Sequence, residues 1–232
     1  EFVAAAQRFN SDADKKVARS GDGTTLLLRR DYDFSQEAGG SNYLSSFSGY
    51  VTYDLGGYTV SMGKDNDADA FVKCDAYATG YSTNITLTNG KILVGEDPIV
   101  RFSASQERIS SDYLNGYETN AQRFTVTLDR LNVELDARVT DYTRILVYSY
   151  QNVSGSPKEI LDANLIVNEC EIDLNTNGDS FYLMSRNNID VNVEIVGGSI
   201  TANDLKGVTF NYATKLTVKK GSDGNYITVD CK

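Results

Sequence analysis

The strict alternation of apolar and polar residues is the feature that most constrains the fold of this chain. From Asn188 to Gly197, apolar side chains at odd positions alternate with Asp190, Asn192 and Glu194. A period of two is typical of a β-strand with one buried and one solvated face. The longest apolar runs, such as 26–28, have the length of a strand, and no stretch approaches the roughly 20 apolar residues of a membrane helix. The pattern therefore predicts a mostly β protein.

Turn sequences separate several of these strand-like segments. Gly56-Gly57 separates 50–55 from 58–62, and Asn89-Gly90 separates 81–88 from 91–94. The run 221–225 separates 208–218 from 226–231. Asn-Gly between two alternating segments is the strongest short-range signal for a hairpin. We therefore predict three antiparallel hairpins.

A change of parity interrupts the long apolar run in the middle of the chain. The apolar residues occupy even positions before Asp129-Arg130 and odd positions after it: Phe124, Val126, Leu128, then Leu131, Val133, Leu135. Such a switch indicates either a β-bulge or a strand that crosses from one sheet to another.

Helical patterns are few and short, at 2–9, 103–114 and 157–163. A polar segment at 115–122 separates two β-rich halves, each of the size of one Greek-key sandwich. The predicted fold class is therefore all-β, with two tandem antiparallel Greek-key β-sandwich domains at 1–120 and 121–232 and a few short helices.

Composition removes whole classes of function. The 232 residues contain no histidine and no tryptophan, and 22 basic against 32 acidic residues give a formal charge of −10. Without histidine there is no Ser-His-Asp or Cys-His catalysis and no imidazole metal ligand. A nucleic-acid partner is not expected, since it needs a basic surface. We predict a non-enzymatic protein with no catalytic residues, no cofactor and no metal site.

Two acidic runs resemble the start of a calcium loop but lack its closing ligand. In the run 65–70, positions six and twelve are Ala70 and Ala76, and in the run 173–178 position twelve is Met184. Both are interpreted as solvated turns. Cys74, Cys170 and Cys231 are widely spaced, which favours buried thiols, with a Cys170–Cys231 disulfide as the alternative.

Tyrosines are abundant at strand positions. The set comprises Tyr50, Tyr53, Tyr58, Tyr77, Tyr81, Tyr148 and Tyr150. Strand tyrosines usually pack half-buried, but exposed ones provide platforms for sugars. Two carboxylates of a glycosidase would have to converge in a cleft, and the sequence does not show which could. Asn84-Ile85-Thr86 and Asn152-Val153-Ser154 are sequons for N-glycosylation.

Two segments resemble the fimbrillin-like proteins, the fimbrial subunit, anchor and adhesin lipoproteins of Bacteroidota. The stretch 123–135 is similar to the strand that opens their second domain, and 24–33 with 50–58 is similar to their first-domain strands. The resemblance implies two transthyretin-like β-sandwiches, a cell-surface or outer-membrane location, and a lipid anchor in the precursor. The expected partners are other fimbrial subunits, or a host or bacterial surface protein or glycan. In polymerising members a strand is removed after an arginine, a place that Arg19 or Arg30 could take.

The predicted function is a non-enzymatic fimbrial or adhesion component that assembles by β-strand addition. The terminal strand 226–231 and the early strand 26–30 are the elements expected to take part. The alternative is a glycan-binding surface lipoprotein or module that uses its tyrosine-rich strand faces. A β-rich glycosidase is the third hypothesis.

Overall fold

The computed structural model shows a protein in which every described strand pair is parallel. The structure describes residues 24–33, 44–45, 49–62, 70–76, 82–95, 97–105, 122–138, 146–152, 161–174, 184–187, 191–202 and 213–231. Within these ranges there are seventeen strands and no helix.

The strands form three faces that wind along the chain. The first face contains β1 (Thr24–Leu27), β4 (Gly49–Asp54), the first half of β7 (Ser82–Val94), the first half of β9 (Gln122–Leu135), β11 (Leu161–Asn168), β14 (Val191–Val196) and β16 (Ala213–Lys219). The second face contains β2 (Tyr32–Asp33), β5 (Thr59–Ser61), the second halves of β7 and β9, β12 (Glu171–Leu174), β15 (Ser199–Ala202) and β17 (Thr228–Cys231). The third contains β3 (Leu44–Ser45), β6 (Val72–Ala76), β8 (Val100–Ser105), β10 (Val147–Asn152) and β13 (Met184–Asn187).

This arrangement is a parallel β-solenoid. Within each face the strands follow one another in chain order, so each pass of the chain lies beside the previous one. In most proteins with parallel sheets a helix connects neighbouring strands. Here the described connections run through strands of the other faces instead. The predicted antiparallel Greek-key sandwiches are therefore wrong.

The core is a set of apolar rows inside the coils. In the first face, Val51, Ile85, Val126, Leu165, Val193 and Leu216 lie in register across six coils. The first five of these side chains are buried. The outward residues between them are half-exposed, such as Thr86 and Thr127. The alternation in the sequence thus arises because each coil buries its inward side chains in the core and exposes its outward side chains to solvent.

The predicted hairpins are also wrong, because their turn residues lie at corners of the coil. The two arms predicted around Asn89-Gly90 belong to one continuous strand, β7, and Asn89 has φ 58°. Gly56 and Gly57 turn the chain from β4 into β5 with φ of 62° and 80°. A left-handed residue supports a corner as well as a reversal. At the C-terminus, β16 pairs with β14 and β17 pairs with β15, not with each other.

The parity change at Asp129-Arg130 corresponds to a crossing between faces. Arg130 has φ 50°, and β9 pairs with β11 before it and with β12 after it. Glu169, also at φ 50°, lies at the same corner one coil later. The structure places the change of parity at a corner where β9 passes from one face to the next within a single twelve-stranded sheet, rather than at a crossing between two sheets.

The division at 120/121 falls between β8 and β9, and strand pairing continues across it. β9 pairs with β7 from Arg123 to Leu135, and one hydrophobic core contains residues of both halves. Of the predicted helices, 103–105 lie in β8 and 161–163 in β11, and the remaining positions lie outside the described residues.

The coils differ in length. Successive members of the row Val51, Ile85, Val126, Leu165, Val193 and Leu216 are 34, 41, 39, 28 and 23 residues apart. Solenoid proteins can usually be recognised by a fixed period in their sequence. Here the connections vary while the strands stay in register, which hides the period.

Candidate functional site

The C-terminal edge, formed by β16 and β17, exposes side chains that the preceding coil buries. Leu216, Val218 and Val229 are 50%, 43% and 45% exposed, although they point to the inside of the coil by register. Their neighbours one coil earlier, Val193, Ile195 and Ile200, are 2%, 3% and 2% exposed. Among the described residues, these three inward-facing side chains are therefore uncovered at the C-terminal edge.

The backbone of the C-terminal edge is open as well. Among the described strands, β16 pairs only with β14 and β17 only with β15. An edge strand of this kind presents N–H and C=O groups to an incoming strand. The edge thus combines a row of main-chain hydrogen-bonding groups with exposed apolar side chains.

Several hydrogen bonds hold the C-terminal edge in place. Gly197 N–H donates to the Lys219 carbonyl at 3.1 Å, and Thr228 N–H donates to the Gly198 carbonyl at 3.0 Å. Ser222 N–H donates to the Glu169 carboxylate. Hydrogen bonds from the side chain and from the backbone of Ser222 lower the pKa of Glu169. These hydrogen bonds attach the last coil to the coils before it.

Polar side chains stack along the corner between the first and second faces. Thr88, Asp129 and Asn168 lie in register, and both neighbours donate to the Asp129 carboxylate, at 2.8 Å and 2.6 Å. Burial alone would raise the pKa of Asp129, but hydrogen bonds from Arg130, Asn168 and Thr88 outweigh it, so the pKa is lowered. We interpret this column as a structural element of the corner.

A second charged cluster joins distant parts of the chain. The Asp136 carboxylate, 4% exposed, accepts from the Arg138 guanidinium at 2.6 Å and from the Ser61 hydroxyl at 2.8 Å. Arg138 also pairs with Asp33 at 3.1 Å. The hydrogen bonds from Arg138 lower the pKa of Asp136 to about 2. The charged groups of this cluster bind one another, which indicates that the cluster connects the coils structurally and is not a reactive site.

The structure does not gather the predicted tyrosines into one platform within the described residues. Tyr53 is fully buried, whereas Tyr50 and Tyr58 are 54% and 39% exposed. Tyr50 lies on the first face and Tyr58 at the corner before β5. The side chains of Tyr77, Tyr81, Tyr148 and Tyr150 lie outside the described residues.

Of the remaining predicted sites, some lie within the described residues and others lie outside them. Cys74 and Cys170 are buried thiols, so the alternative Cys170–Cys231 disulfide is absent. Burial raises the pKa of Cys170 to about 12. The acidic run 65–69, the positions 175–178, and Arg19 lie outside the described residues. Among the residues that are described, no three acidic or cysteine side chains converge in a way that could hold a metal ion.

No family model, no curated protein and no solved structure matches this chain. The parallel solenoid also differs from the sandwich pair that the resemblance to fimbrillin-like proteins implies. The described part of the chain contains no helix that could cross a membrane. The class of protein is therefore defined by its fold alone.

Proposed function

We propose that this protein is a non-enzymatic assembly module of a cell surface, which takes up a β-strand of a partner subunit at its C-terminal edge. The observation that carries the proposal is the rise in exposure between two in-register rows, from 2% at Val193 to 50% at Leu216. Burying a leucine or valine fully contributes roughly 1.5–3 kcal/mol. Covering three half-exposed side chains would thus supply about 3 kcal/mol, besides new main-chain hydrogen bonds.

The edge favours a strand of defined chemistry. An added parallel strand would place every second side chain beside Leu216 and Val218, inside the coil, and the others beside Lys215 and Lys219, outside it. Alternating apolar and acidic residues would satisfy both rows, since Lys215 and Lys219 are exposed cations. The strand β17 (Thr228–Cys231), within the predicted segment 226–231, lies at this edge, which supports the β-strand addition hypothesis.

A peptide experiment tests the proposal. An alternating Val/Glu peptide is added to the protein, and a peptide with the same composition in scrambled order is the control. We expect the alternating peptide alone to raise the melting temperature and to slow amide exchange at 213–219. Leu216→Lys should abolish both effects, while Thr228→Lys, which adds the same charge at an exposed outward position, should preserve them.

Two results would contradict the proposal. Equal stabilisation by both peptides would show nonspecific binding rather than strand addition. Concentration-dependent growth of oligomers in sedimentation, abolished by Leu216→Lys without any peptide, would assign the edge to a second copy of this chain instead of another subunit.

Glycan binding is the second candidate function, and a different part of the molecule favours it. The first face has a polar outer surface along which the exposed ring of Tyr50 lies in register with a line of amide and hydroxyl groups.

A further inference from the structure

We infer that the outer surface of the first face binds a linear, hydroxyl-rich glycan along the axis of the solenoid. The site is a row of six outward residues, here called the lateral row, one from each of six consecutive coils. Its members are Tyr50, Asn84, Thr125, Asn164, Asn192 and Lys215. It deepens the glycan-binding candidate and is independent of strand addition.

The geometry of the lateral row is that of a long, shallow groove. Neighbouring strands lie about 4.8 Å apart, so six members span roughly 24 Å. The part from Thr125 to Lys215 lines a depression of about 520 Å³, with Ile166, Glu194 and Thr217 beside it. Its length and shape suit an extended chain of several sugar rings rather than a compact ligand.

The amides of the lateral row are already oriented. Asn164 Nδ2 donates to Asp162 Oδ1 at 3.0 Å and to the Phe124 carbonyl at 3.3 Å, and its Oδ1 accepts from Asn192 Nδ2 at 3.2 Å. Asn192 therefore keeps one N–H and its carbonyl oxygen for a ligand, as far as bonds among the described residues go. Fixed polar groups bind with a smaller loss of conformational entropy.

The chemistry of the lateral row matches a saccharide better than other polymers. Amides and hydroxyls both donate and accept, as sugar hydroxyls require. The exposed Tyr50 ring and the Ile166 side chain offer apolar contact to the C–H face of a sugar. Lys215 is a further donor, since Glu194 is engaged by Lys219 at 2.7 Å.

Two alternative ligands fit less well. From Tyr50 to Asn192 a peptide strand finds no main-chain partners, because β4, β7, β9, β11 and β14 are paired on both sides. A polyanion such as a nucleic acid or a sulfated glycan faces a protein of charge −10 with one cation in the row.

The test compares pairs of variants that change the same residue type on different faces. Asn192→Ala and Tyr50→Ala lie in the lateral row, whereas Asn132→Ala and Tyr58→Ala remove a half-exposed asparagine and an exposed tyrosine elsewhere. Binding is measured by calorimetry with soluble linear polysaccharides, neutral, uronic and sulfated, chosen from a glycan array. The protein is produced in a bacterial host so that the Asn84 sequon stays unmodified.

We expect a neutral polysaccharide to bind, and each variant of the lateral row to weaken its binding on the order of tenfold. The controls should bind like the parent protein. Short oligosaccharides should lose the dependence on Tyr50, because Tyr50 and Asn192 lie four coils, roughly 19 Å, apart. Absence of binding to every member of the array, preference for uronic or sulfated chains, or equal loss in the controls would overturn the inference.

Discussion

Asp136→Asn tests whether the charged cluster stabilises the stacked coils. The substitution keeps the shape of the side chain but removes the charge that accepts from Arg138 and Ser61. The pKa of Asp136 is about 2 in the folded protein. Set against about 3.9 in an unfolded chain, at about 1.4 kcal/mol for each pH unit, this corresponds to roughly 2–3 kcal/mol of stability at pH 7. We expect the variant to lose an amount of this order.

The pH dependence gives the sign of the effect. Because folding lowers the pKa of Asp136, its stabilisation is complete above about pH 4 and disappears as the pH falls towards about 2. Urea unfolding of both proteins at pH 7, 5, 4 and 3 measures the difference in the free energy of unfolding. The difference should be constant from pH 7 to 5 and shrink at pH 3.

Glu134→Gln is the control for this experiment. Glu134 pairs with Lys91 at 2.7 Å, but both side chains are about one third exposed. An exposed pair contributes about 0–1 kcal/mol. The reasoning is refuted if Asp136→Asn costs no more than Glu134→Gln, or if the cost of Asp136→Asn is the same at pH 7 and pH 3.

Three further predictions concern glycine, thiol and core positions. Gly198→Ala should destabilise the protein by clearly more than Gly224→Ala in urea unfolding. Both glycines have φ near 80°. A Cβ added at Gly198 would lie 2.3 Å from the Cys170 carbonyl oxygen, whereas a Cβ added at Gly224 would meet nothing within 4 Å. Cys170, with a pKa of about 12, should resist alkylation at pH 8 in the folded protein and react once urea unfolds it; rapid labelling of the native protein would contradict its burial. Leu165→Ala should cost about 2–5 kcal/mol and the in-register Leu216→Ala about 1 kcal/mol or less by thermal unfolding. Equal costs would mean that Leu216 is covered in solution.

The alternation of residues predicts the strands correctly but not their direction. Parallel strands in most proteins are buried on both sides and read as continuous apolar runs, so an alternating pattern favours antiparallel sheets. In this solenoid, Thr86 and Thr127 face solvent although their strands are parallel. The Asn89-Gly90 sequence adds to the error, because a left-handed residue is required at a corner as much as in a hairpin.

The candidate sites could be predicted only in part. The terminal strand was identifiable by its position and pattern, but the exposure of Leu216 depends on where the stack of coils stops. The lateral row could not be predicted from the sequence, because Asn164 and Asn192 look like ordinary solvent-exposed strand residues there. Only the strand register places them side by side. Coil separations from 23 to 41 residues leave no fixed period from which that register could be read.

The stacking of coils makes the described protein a one-dimensional system. In the first face, each described strand pairs with the strands before and after it, so pairing transmits stability from neighbour to neighbour. Melting should then begin at the C-terminal edge, where β16 has one neighbour, and move inward as each loss uncovers the next coil. A partner that covers this edge would suppress fraying. It would therefore slow amide hydrogen exchange even in coils that it does not contact.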